Sequence, residues 1–531
     1  MDQGSVPVSR ARKLRDLVAP PSGGRLAARL QQAKSNTWLL LVFWVVAVVY
    51  VYFASAGTLH RWPVYGTFLD LQAEGFRSGH LYMKLEPAPE LLRAANPRDP
   101  VNIRHWALDA SYFRGKYYAY WGPTPILFQA LVKSLLGIKR TIGDQYIGLV
   151  SACVIAWSGS LIIERMRRRM FAAVPRFVVV FAIFAFAFAN PMLHSVATAG
   201  TYQSAILAGQ ACLVPGVLFA FDAVWFAGTS SARRSRQLLA GVCWGLAVGA
   251  RVSVLPTVAC LIGFTALGEG WMSERRWFKS FVNALWLGAP VALVGVGLLV
   301  YNWLRFEDPL QFGLNLQLSG YPPMSNKGGF VLPNLYSYLL RPFVASCQFP
   351  YIYQVWWSKA ATVFPEGFPV PAGYNTDEPI VGWMRAVPIA WLIALALVLI
   401  PRPWSAHWRH GRVYLWCLAC FLSMGTVTGM MALGNYAGTM RYLGDLTPGL
   451  VLAGLLGAFA LRAHPFGLIS PKLVNSGIVL LASVTMVLGG LLGYQGYAGH
   501  FHKYNPELDA AFVKTLSFCN GRDPQVPRFW P

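Results

Sequence analysis

Eleven apolar runs divide the sequence, and most are long enough to form a helix that crosses a membrane. About 20 residues of α-helix span the roughly 30 Å of hydrocarbon in a bilayer, and a backbone in lipid must satisfy its own hydrogen bonds. The pattern predicts an all-α integral membrane protein, a bundle of about 11 transmembrane helices. The runs lie at residues 37–57, 146–163, 177–193, 203–226, 238–252, 254–268, 281–301, 383–400, 413–433, 446–462 and 474–497.

The positions of Lys and Arg between the runs predict the orientation of the chain. Hydrophobic residues make up 55% of the sequence and charged residues 13%, so the formal charge of +23 indicates a membrane protein rather than a soluble nucleic-acid-binding protein. The basic tail 1–36 places the N-terminus in the cytoplasm by the positive-inside rule. Counting alternately from there, the basic clusters fall on the inside if the stretch 121–137 does not cross completely and is re-entrant or interfacial. These clusters lie at 165–169, 233–236, 275–279 and 402–412.

The predicted topology is that of a multi-pass protein of the plasma (inner) membrane. Residues 37–497 form the transmembrane domain, and residues 498–531 form an extracytoplasmic C-terminal tail. Two outer loops, 58–145 and 302–382, are long and rich in aromatic and charged residues. A membrane enzyme could bring a lipid-borne substrate and an exported acceptor together at such loops, so candidate residues are sought there.

The cysteines give one further expectation about the outer side. The chain has 8 cysteines, which are scattered along it. Under this topology only Cys347 and Cys519 lie in outer segments. An oxidising exterior would permit a disulfide between them.

Acidic residues of the first outer loop are the candidate catalytic groups. Asp70 and Glu74 would share one face if residues 68–76 are helical, because positions i and i+4 are neighbours on a helix. The alternative is a solvated or capping acidic pair. Asp109 could assist a base or bind an acceptor, but it also suits a structural Asx turn.

Four motifs resemble the GT-C superfamily of polytopic glycosyltransferases, above all its bacterial branch related to protein O-mannosyltransferases and aminoarabinose transferases. The paired acidic signature of many members is absent, because Leu71 follows Asp70. The motifs are AEGFRSGHLY at 73–82, DASYFRGKYY at 109–118 followed by WGPTP, YNWLRF at 301–306, and MRYLGD at 440–445.

The resemblance implies an enzyme that transfers a hexosyl or pentosyl group from a polyprenyl-phosphate sugar to an acceptor on the extracytoplasmic face. The acceptor would be a glycan, lipid or protein, and the anomeric carbon would be inverted. Asp70 would be the general base that takes the proton of the acceptor hydroxyl, with Glu74 and Asp109 as further candidates.

The leaving phosphate calls for cationic partners, because its negative charge develops in the transition state. The candidates are Arg441, Lys116, Arg305 and Arg251. Each has an alternative role: Lys116 and Arg305 could snorkel at the headgroups, Arg441 could pair with Asp445 one turn away, and Arg251 could cap a helix C-terminus.

The remaining candidates are substrate-binding residues. Tyr117 and Tyr118 fit either sugar stacking or the aromatic belt at the membrane interface. The outer histidines show no zinc-like spacing with a third ligand, so neither a metal nor another cofactor is predicted. The substrate-binding candidates are Tyr442, Asp445, Asn302, Tyr117, Tyr118 and His80.

Two other classes of protein remain open. One is a transporter or flippase of lipid-linked sugars, although the chain has no convincing internal repeat and its spans are mostly free of charge. The other is a non-catalytic protein with a GT-C-like fold that scaffolds a cell-envelope complex.

Overall fold

The computed structural model describes residues 22–226, 228–270, 276–319, 328–354, 364–376, 378–400, 408–463, 469–497 and 499–519. Within these residues the chain is almost entirely helical. Its α-helices are α1 (Ser22–Ala54), α2 (Phe68–Arg77), α3 (Pro89–Arg93), α4 (Pro123–Leu135), α5 (Gln145–Met170), α6 (Arg176–Phe188), α7 (Met192–Ala197), α8 (Thr201–Trp225), α9 (Ser230–Ala250), α10 (Leu255–Gly270), α11 (Arg276–Phe306), α12 (Val331–Leu339), α13 (Trp383–Ala386), α14 (Ile393–Val398), α15 (Trp408–Met430), α16 (Leu443–Ala463), α17 (Pro471–Gln495), α18 (His500–Tyr504) and α19 (Pro506–Leu516).

Short elements complete the described chain. Strands β1 (Ser111–Phe113) and β2 (Lys116–Tyr118) form an antiparallel hairpin in the first outer loop, and β3 (Val344–Ala345) and β4 (Ile352–Tyr353) form another in the second. Six 3-10 turns lie at Pro100–His105, Val252–Val254, Leu314–Leu316, Gly328–Phe330, Pro388–Leu392 and Met440–Tyr442.

The apolar runs are helical, as the sequence predicts, and the protein is an all-α membrane protein. Seven helices of the described chain contain a segment long and apolar enough to cross a membrane: Thr37–Ala54, Gln145–Met170, Thr201–Trp225, Trp277–Phe306, Gly411–Met430, Met440–Ala463 and Pro471–Gln495. Shorter apolar helices occupy three further runs, at Arg176–Phe188, Val252–Gly268 and Pro388–Val398. The run 238–252 coincides with the second half of α9. Helix α1 begins at Ser22, inside the segment assigned to the basic tail.

Helix α4 matches the stretch expected not to cross the membrane. Its 13 residues rise about 20 Å, which is less than the roughly 30 Å of hydrocarbon. Pro123 occupies the first turn, where its missing N–H costs no helical hydrogen bond. One face buries Gln129 and Lys133, while the opposite face exposes apolar side chains such as Leu131 and Leu135. The helix is therefore amphipathic, as expected of a segment lying along the interface.

Small residues allow the central helices to pack closely. Gly216 of α8 lies against the indole of the fully buried Trp244 on α9, where a Cβ atom would come within 2.3 Å of Nε1. Gly449 of α16 lies against the Phe421 carbonyl oxygen of α15, where a Cβ atom would come within 2.5 Å. A larger side chain at either position would force the helices apart.

The outer segments are tied to one another at one end of the bundle. The Gly122 N–H, at the start of α4, donates to the Ala250 carbonyl at the end of α9 (3.1 Å), and Ser111 Oγ donates to the Gly313 carbonyl (2.8 Å). Cys347 and Cys519 form a disulfide, which joins the second outer loop to the C-terminal tail. The two outer loops and the tail therefore form one connected layer.

Candidate functional site

A cavity of about 330 Å³ lies at this end of the bundle, where the ends of α9, α11 and α15 meet the start of α16. One wall is aromatic, and the polar side chains come from four separate segments. The aromatic lining consists of Tyr120, Trp121, Tyr202, Phe312 and Tyr442, and the polar lining includes Arg251, Arg305, Asp445, Asn302, Asn435, Thr428 and Ser253. Apolar and aromatic walls with a few convergent polar groups are typical of ligand sites.

Arg251 enters the cavity because α9 stops at Ala250. The backbone of Arg251 is extended, and a 3-10 turn separates it from α10. Its Nη1 atom donates to both carboxylate oxygens of Asp445, in the first turn of α16. The expected alternative pairing of Arg441 with Asp445 is therefore wrong: the tertiary fold supplies Arg251 as the partner.

Arg305 lies in the last turn of α11, with a side chain fixed on several sides. It donates to Asn302 Oδ1 and to the Ala119 carbonyl, each at 2.7 Å. Its guanidinium carbon lies 3.9 Å from the ring centre of Tyr301 and 4.5 Å from that of Phe306. Arg305 is only 4% exposed, so the alternative that it snorkels to the headgroups is wrong.

Arg441 lies beside the cavity, behind two of its aromatic lining residues. Its guanidinium carbon is 4.7 Å from the ring centre of Tyr202 and 5.5 Å from that of Tyr442. Its Nη1 atom is 3.8 Å from Glu378 Oε2, whereas its buried Nε has no hydrogen-bond partner within the described chain. The Arg441 guanidinium is therefore separated from the cavity by the aromatic rings of Tyr202 and Tyr442.

Asp109 reaches the same aromatic wall from the first outer loop. Its Oδ1 accepts a hydrogen bond from Gln317 Nε2 (3.1 Å), which also donates to Tyr202 Oη (3.0 Å). Burial raises the pKa of Asp109, although hydrogen bonds from Tyr202 and Gln317 and the charge of Arg441 oppose that rise. Its φ angle of 69° is uncommon for a residue with a Cβ atom. The contacts with two distant segments exceed what a local Asx turn requires.

Asp70 and Glu74 share one face of α2, as the sequence predicts, and both contact Lys133 of α4. Asp70 is fully buried and accepts from Gln129 Nε2 (2.6 Å), Lys133 Nζ (2.7 Å) and the Ile142 N–H (3.2 Å). Lys133 Nζ is also 2.6 Å from Glu74 Oε1. Within the described chain, neither acidic residue lines the cavity. The solvated alternative is wrong for Asp70, which is held in a buried ion pair.

The electrostatic setting of Glu74 differs from that of Asp109. Partial burial raises the pKa of Glu74, but hydrogen bonds from Lys133 and Arg77 outweigh this effect and hold that pKa below its usual value. A carboxylate engaged by two cations is a weak proton acceptor. Glu74 is therefore the least suited of the three acidic candidates to act as a base.

The predicted residues of the β1–β2 hairpin lie outside the cavity lining. Lys116 Nζ stands 4.7 Å from the ring centre of Tyr82 and 3.8 Å from Glu86 Oε2. His80 is exposed and stacks on the ring of Tyr82, with the two ring centres 4.7 Å apart. The structure therefore separates Lys116 and His80 from Arg251 and Arg305.

Tyr117 and Tyr118 of the β1–β2 hairpin lie behind the cavity wall and do not line the cavity. Tyr117 Oη accepts from the Ala107 N–H (3.2 Å) and donates to the His105 carbonyl (3.4 Å). Tyr118 packs edge-on against Phe306, with ring centres 5.1 Å apart. Both are buried, so in this structure they pack as core residues rather than as a sugar platform.

Sequence reasoning missed Asn334, which holds one wall of the cavity. Its Nδ2 atom donates to the carbonyls of Leu433 (2.8 Å) and Asn435 (2.6 Å), and Tyr374 Oη donates to its Oδ1 (2.9 Å). Asn334 is fully buried. No sequence motif could reveal this role, because Leu433 and Asn435 lie 99 and 101 positions after Asn334 in the chain. Tyr202 was missed for the same reason: nothing local at the start of α8 indicates a contact with Asp109.

The described residues contain no group of three or more His, Cys, Asp or Glu side chains placed to hold a metal ion. Asp70 and Glu74 instead form ion pairs with Lys133. The absence of a metal requirement stays a prediction.

Comparisons with known proteins give matches among solved structures. No model of a protein family and no curated protein matches the sequence. The chain is similar to ArnT from Cupriavidus metallidurans bound to undecaprenyl phosphate, with 13% identity and a TM-score of 0.44 over 90% of this chain and 80% of that one. It is also similar to the oligosaccharyltransferase AglB from Archaeoglobus fulgidus in complex with an inhibitory peptide and a dolichol-phosphate, with 12% identity and a TM-score of 0.43.

The second match covers 87% of this chain but only 56% of the archaeal protein, so the chain spans little more than half of that protein's length. Similarity at this level assigns neither a donor nor an acceptor to this chain.

Proposed function

We propose that this protein is a membrane glycosyltransferase that moves a sugar from a polyprenyl-phosphate donor to an acceptor hydroxyl on the extracytoplasmic face. The observation that carries the proposal is the cavity at the ends of membrane-length helices, which presents Arg251 and Arg305 beside an aromatic wall. A lipid-borne donor can reach such a cavity from the bilayer, while its sugar and phosphate find polar partners. The acceptor is a glycan, a lipid or a protein, and the sugar is a hexose or a pentose.

The two arginines suit a phosphate leaving group. Arginine presents several N–H donors in a fixed plane, a geometry that matches phosphate oxygens. Arg305 is held rigidly by Asn302 and Ala119, so little reorganisation is needed when charge develops. Arg441 lies behind Tyr202 and faces Glu378, so its charge is largely balanced outside the cavity lining. Lys116 remains a candidate only if the hairpin moves, because it faces Tyr82 in this structure.

The reaction forms one bond and breaks one at the anomeric carbon. The acceptor oxygen attacks that carbon as its bond to the phosphate oxygen breaks, and the polyprenyl phosphate leaves with the bonding electrons. A base takes the hydroxyl proton. A single displacement of this kind inverts the anomeric configuration.

Three acidic residues are compared as the general base: Asp70, Asp109 and Asp445. The family resemblance assigns this role to Asp70, but the buried contacts of Asp70 with Gln129 and Lys133 favour a structural role. Asp109 is better suited, because it contacts the cavity residue Tyr202 and burial raises its pKa towards the operating range of a base. Asp445 lines the cavity but is engaged by Arg251.

We also propose that the cavity faces the extracytoplasmic side of the membrane. The basic clusters between the helices support a cytoplasmic N-terminus. The disulfide between Cys347 and Cys519 supports an oxidising compartment on the side of the outer loops and the C-terminus. The proposed location of the cavity is that same side, because α11 leads from the cavity residues Asn302 and Arg305 into the second outer loop, and Tyr120 and Trp121 of the first outer loop line the cavity.

The test is glycosyl transfer by the purified protein in nanodiscs, offered a panel of polyprenyl-phosphate sugars. We expect wild type to use one donor and to invert its anomeric configuration, which NMR of the product determines. Arg305→Gln should lower kcat by roughly 10²- to 10³-fold, the usual cost of one lost donor to a developing negative charge. Arg305→Lys is the matched control, because it keeps the charge and loses the planar donor set.

The base is tested by Asp109→Asn against Asp70→Asn, with donor binding measured separately. We expect Asp109→Asn to bind the donor and lose turnover. If Asp70→Asn alone abolishes turnover while binding and folding persist, the base is Asp70, as the resemblance implies. If wild type transfers no sugar from any donor, the transporter and scaffold classes replace the enzyme.

A further inference from the structure

The ion pair between Arg251 and Asp445 sets the net charge of the cavity. We propose that Asp445 is a specificity residue, an internal counter-anion that restricts the lipid donor to a single phosphate and disfavours a diphosphate. The inference rests on the proposed function and deepens it, because it concerns the charge of the donor that this cavity accepts.

The charges of the described lining carry the inference. Two cations, Arg251 and Arg305, and one anion, Asp445, line the cavity, which leaves a single excess positive charge among the lining side chains; Asp109 lies behind Tyr202 and is not one of them. Arg441 stands outside the lining and is faced by Glu378 at 3.8 Å, so this pair adds no net charge nearby. Arg251 and Asp445 have side chains only 16% and 7% exposed, so water screens them weakly.

Two features of α16 favour an acidic residue at the position of Asp445 and fix its backbone. It lies in the first turn of α16, where the helix dipole favours an acidic side chain. Its backbone carbonyl accepts from Gln210 Nε2 of α8 (3.1 Å), which fixes the turn against the neighbouring helix. The backbone of Asp445 is therefore fixed beside Arg251, and its carboxylate neutralises that arginine.

The chemistry of the two donor classes differs by one charge. A sugar linked through one phosphate is a phosphodiester with one negative charge, which balances the single excess positive charge of the cavity. A sugar linked through a diphosphate carries two negative charges and would leave one unbalanced beside Asp445. An unbalanced charge in a poorly solvated site is costly, so the cavity discriminates by charge as well as by shape.

The experiment measures the binding of two matched probes to the full-length protein in nanodiscs: a polyprenyl-monophosphoryl hexose and a polyprenyl-diphosphoryl hexose with the same lipid and sugar. We expect wild type to bind the monophosphoryl probe more tightly. Asp445→Asn should raise the affinity for the diphosphoryl probe relative to the monophosphoryl one by roughly 5- to 150-fold, the range of a coupling between two sites of charge. Asp445→Glu, which keeps the charge, should retain the wild-type preference.

A second variant keeps the test independent of the ion pair. Asn435→Asp adds a carboxylate to the cavity lining and removes the excess charge while Arg251 and Asp445 are both kept. It should weaken binding of both probes, and of the diphosphoryl probe more. Unchanged relative affinities in both Asp445→Asn and Asn435→Asp would overturn the inference.

Failure of this inference is distinguishable from failure of the proposed function. A wild type that transfers sugar but prefers the diphosphoryl donor refutes the role of Asp445 and leaves the glycosyltransferase intact. A wild type that binds neither probe and transfers no sugar refutes both. Monodisperse elution of each variant from a sizing column establishes that it is folded.

Discussion

At the scale of single residues, the surroundings of each carboxylate decide what it can do. Asp70 is fully buried against Lys133, Asp109 is half-buried against Tyr202, and Asp445 is paired with Arg251. Asp70 and Asp445 are each engaged by a close cation, whereas burial raises the pKa of Asp109. We therefore propose Asp109 as the proton acceptor.

The hydrogen bond between Tyr202 and Asp109 gives a prediction on pH dependence. This bond lowers the pKa of Asp109, so Tyr202→Phe should raise that pKa further. A base acts only when deprotonated, so the acid limb of the kcat profile should move to higher pH in Tyr202→Phe. The measurement is kcat against pH for both proteins. An unshifted acid limb would show that the titrating base is another group.

Asp144 gives a prediction on stability. Its Oδ2 accepts from Thr201 Oγ1 (2.6 Å), and burial raises its pKa to about 6, against about 3.9 for an unfolded Asp. The folded protein holds this proton more tightly, so the free energy of unfolding falls by about 3 kcal/mol as pH rises from about 4 to 6, and not beyond. Melting temperatures in detergent should fall across this window more in wild type than in Asp144→Asn. Equal slopes for the two proteins would contradict the assignment.

At the scale of elements, helices α2 and α4 are joined by ion pairs as well as by apolar packing. Lys133 of α4 contacts both Asp70 and Glu74 of α2 while α4 exposes its apolar face. The start of α4 is bonded to the end of α9 through Gly122 and Ala250. The ion pairs therefore help to fix α4, which directly follows the cavity residues Tyr120 and Trp121 in the chain.

A double variant tests this structural role. Lys133→Met leaves the Asp70 carboxylate buried without its cation, which should destabilise the protein by about 3–5 kcal/mol. Lys133→Met combined with Asp70→Asn removes the stranded charge, so its melting temperature should recover most of the loss. Thermal unfolding of wild type, both single variants and the double variant forms a complete cycle. Additive effects would show that the two residues are not coupled.

At the scale of the whole molecule, the outer ends of several helices meet to make a cavity that no single segment contains. The second outer loop contributes through Asn334, which holds the carbonyls of Leu433 and Asn435. The C-terminal tail is attached to that loop by the disulfide of Cys347 and Cys519. The site is therefore stabilised from both halves of the chain.

The disulfide also gives a test of orientation. In Cys347→Ser, the freed Cys519 should react with a membrane-impermeant maleimide added to intact cells, because the tail is expected to lie outside. Ser235→Cys is the control: Ser235 is exposed near the start of α9, on the expected inner side, and the new cysteine should react only after the cells are opened. The reverse pattern would invert the topology and move the cavity to the cytoplasmic face.

The sequence by itself determined the class of the protein and the position of its helices. The apolar runs are helical because a backbone in lipid must satisfy its own hydrogen bonds, so hydropathy alone indicates where helices form. It also placed Asp70 and Glu74 on one helix face, since that relation depends only on the local period of the helix. The prediction that the stretch 121–137 does not cross the membrane followed from the distribution of basic residues, and the short helix α4 agrees with it.

Only the tertiary structure decided which side chains meet. The pairing of Arg251 with Asp445, the burial of Arg305, and the contacts of Asp109 with Gln317 and Tyr202 join residues far apart in the chain. Local periodicity carries no information on such partners, because long-range contacts depend on how the helices pack. For the same reason the sequence could offer Asp445 only Arg441, its neighbour one turn away, as an alternative partner, whereas the fold brings Arg251 from the end of α9 to it.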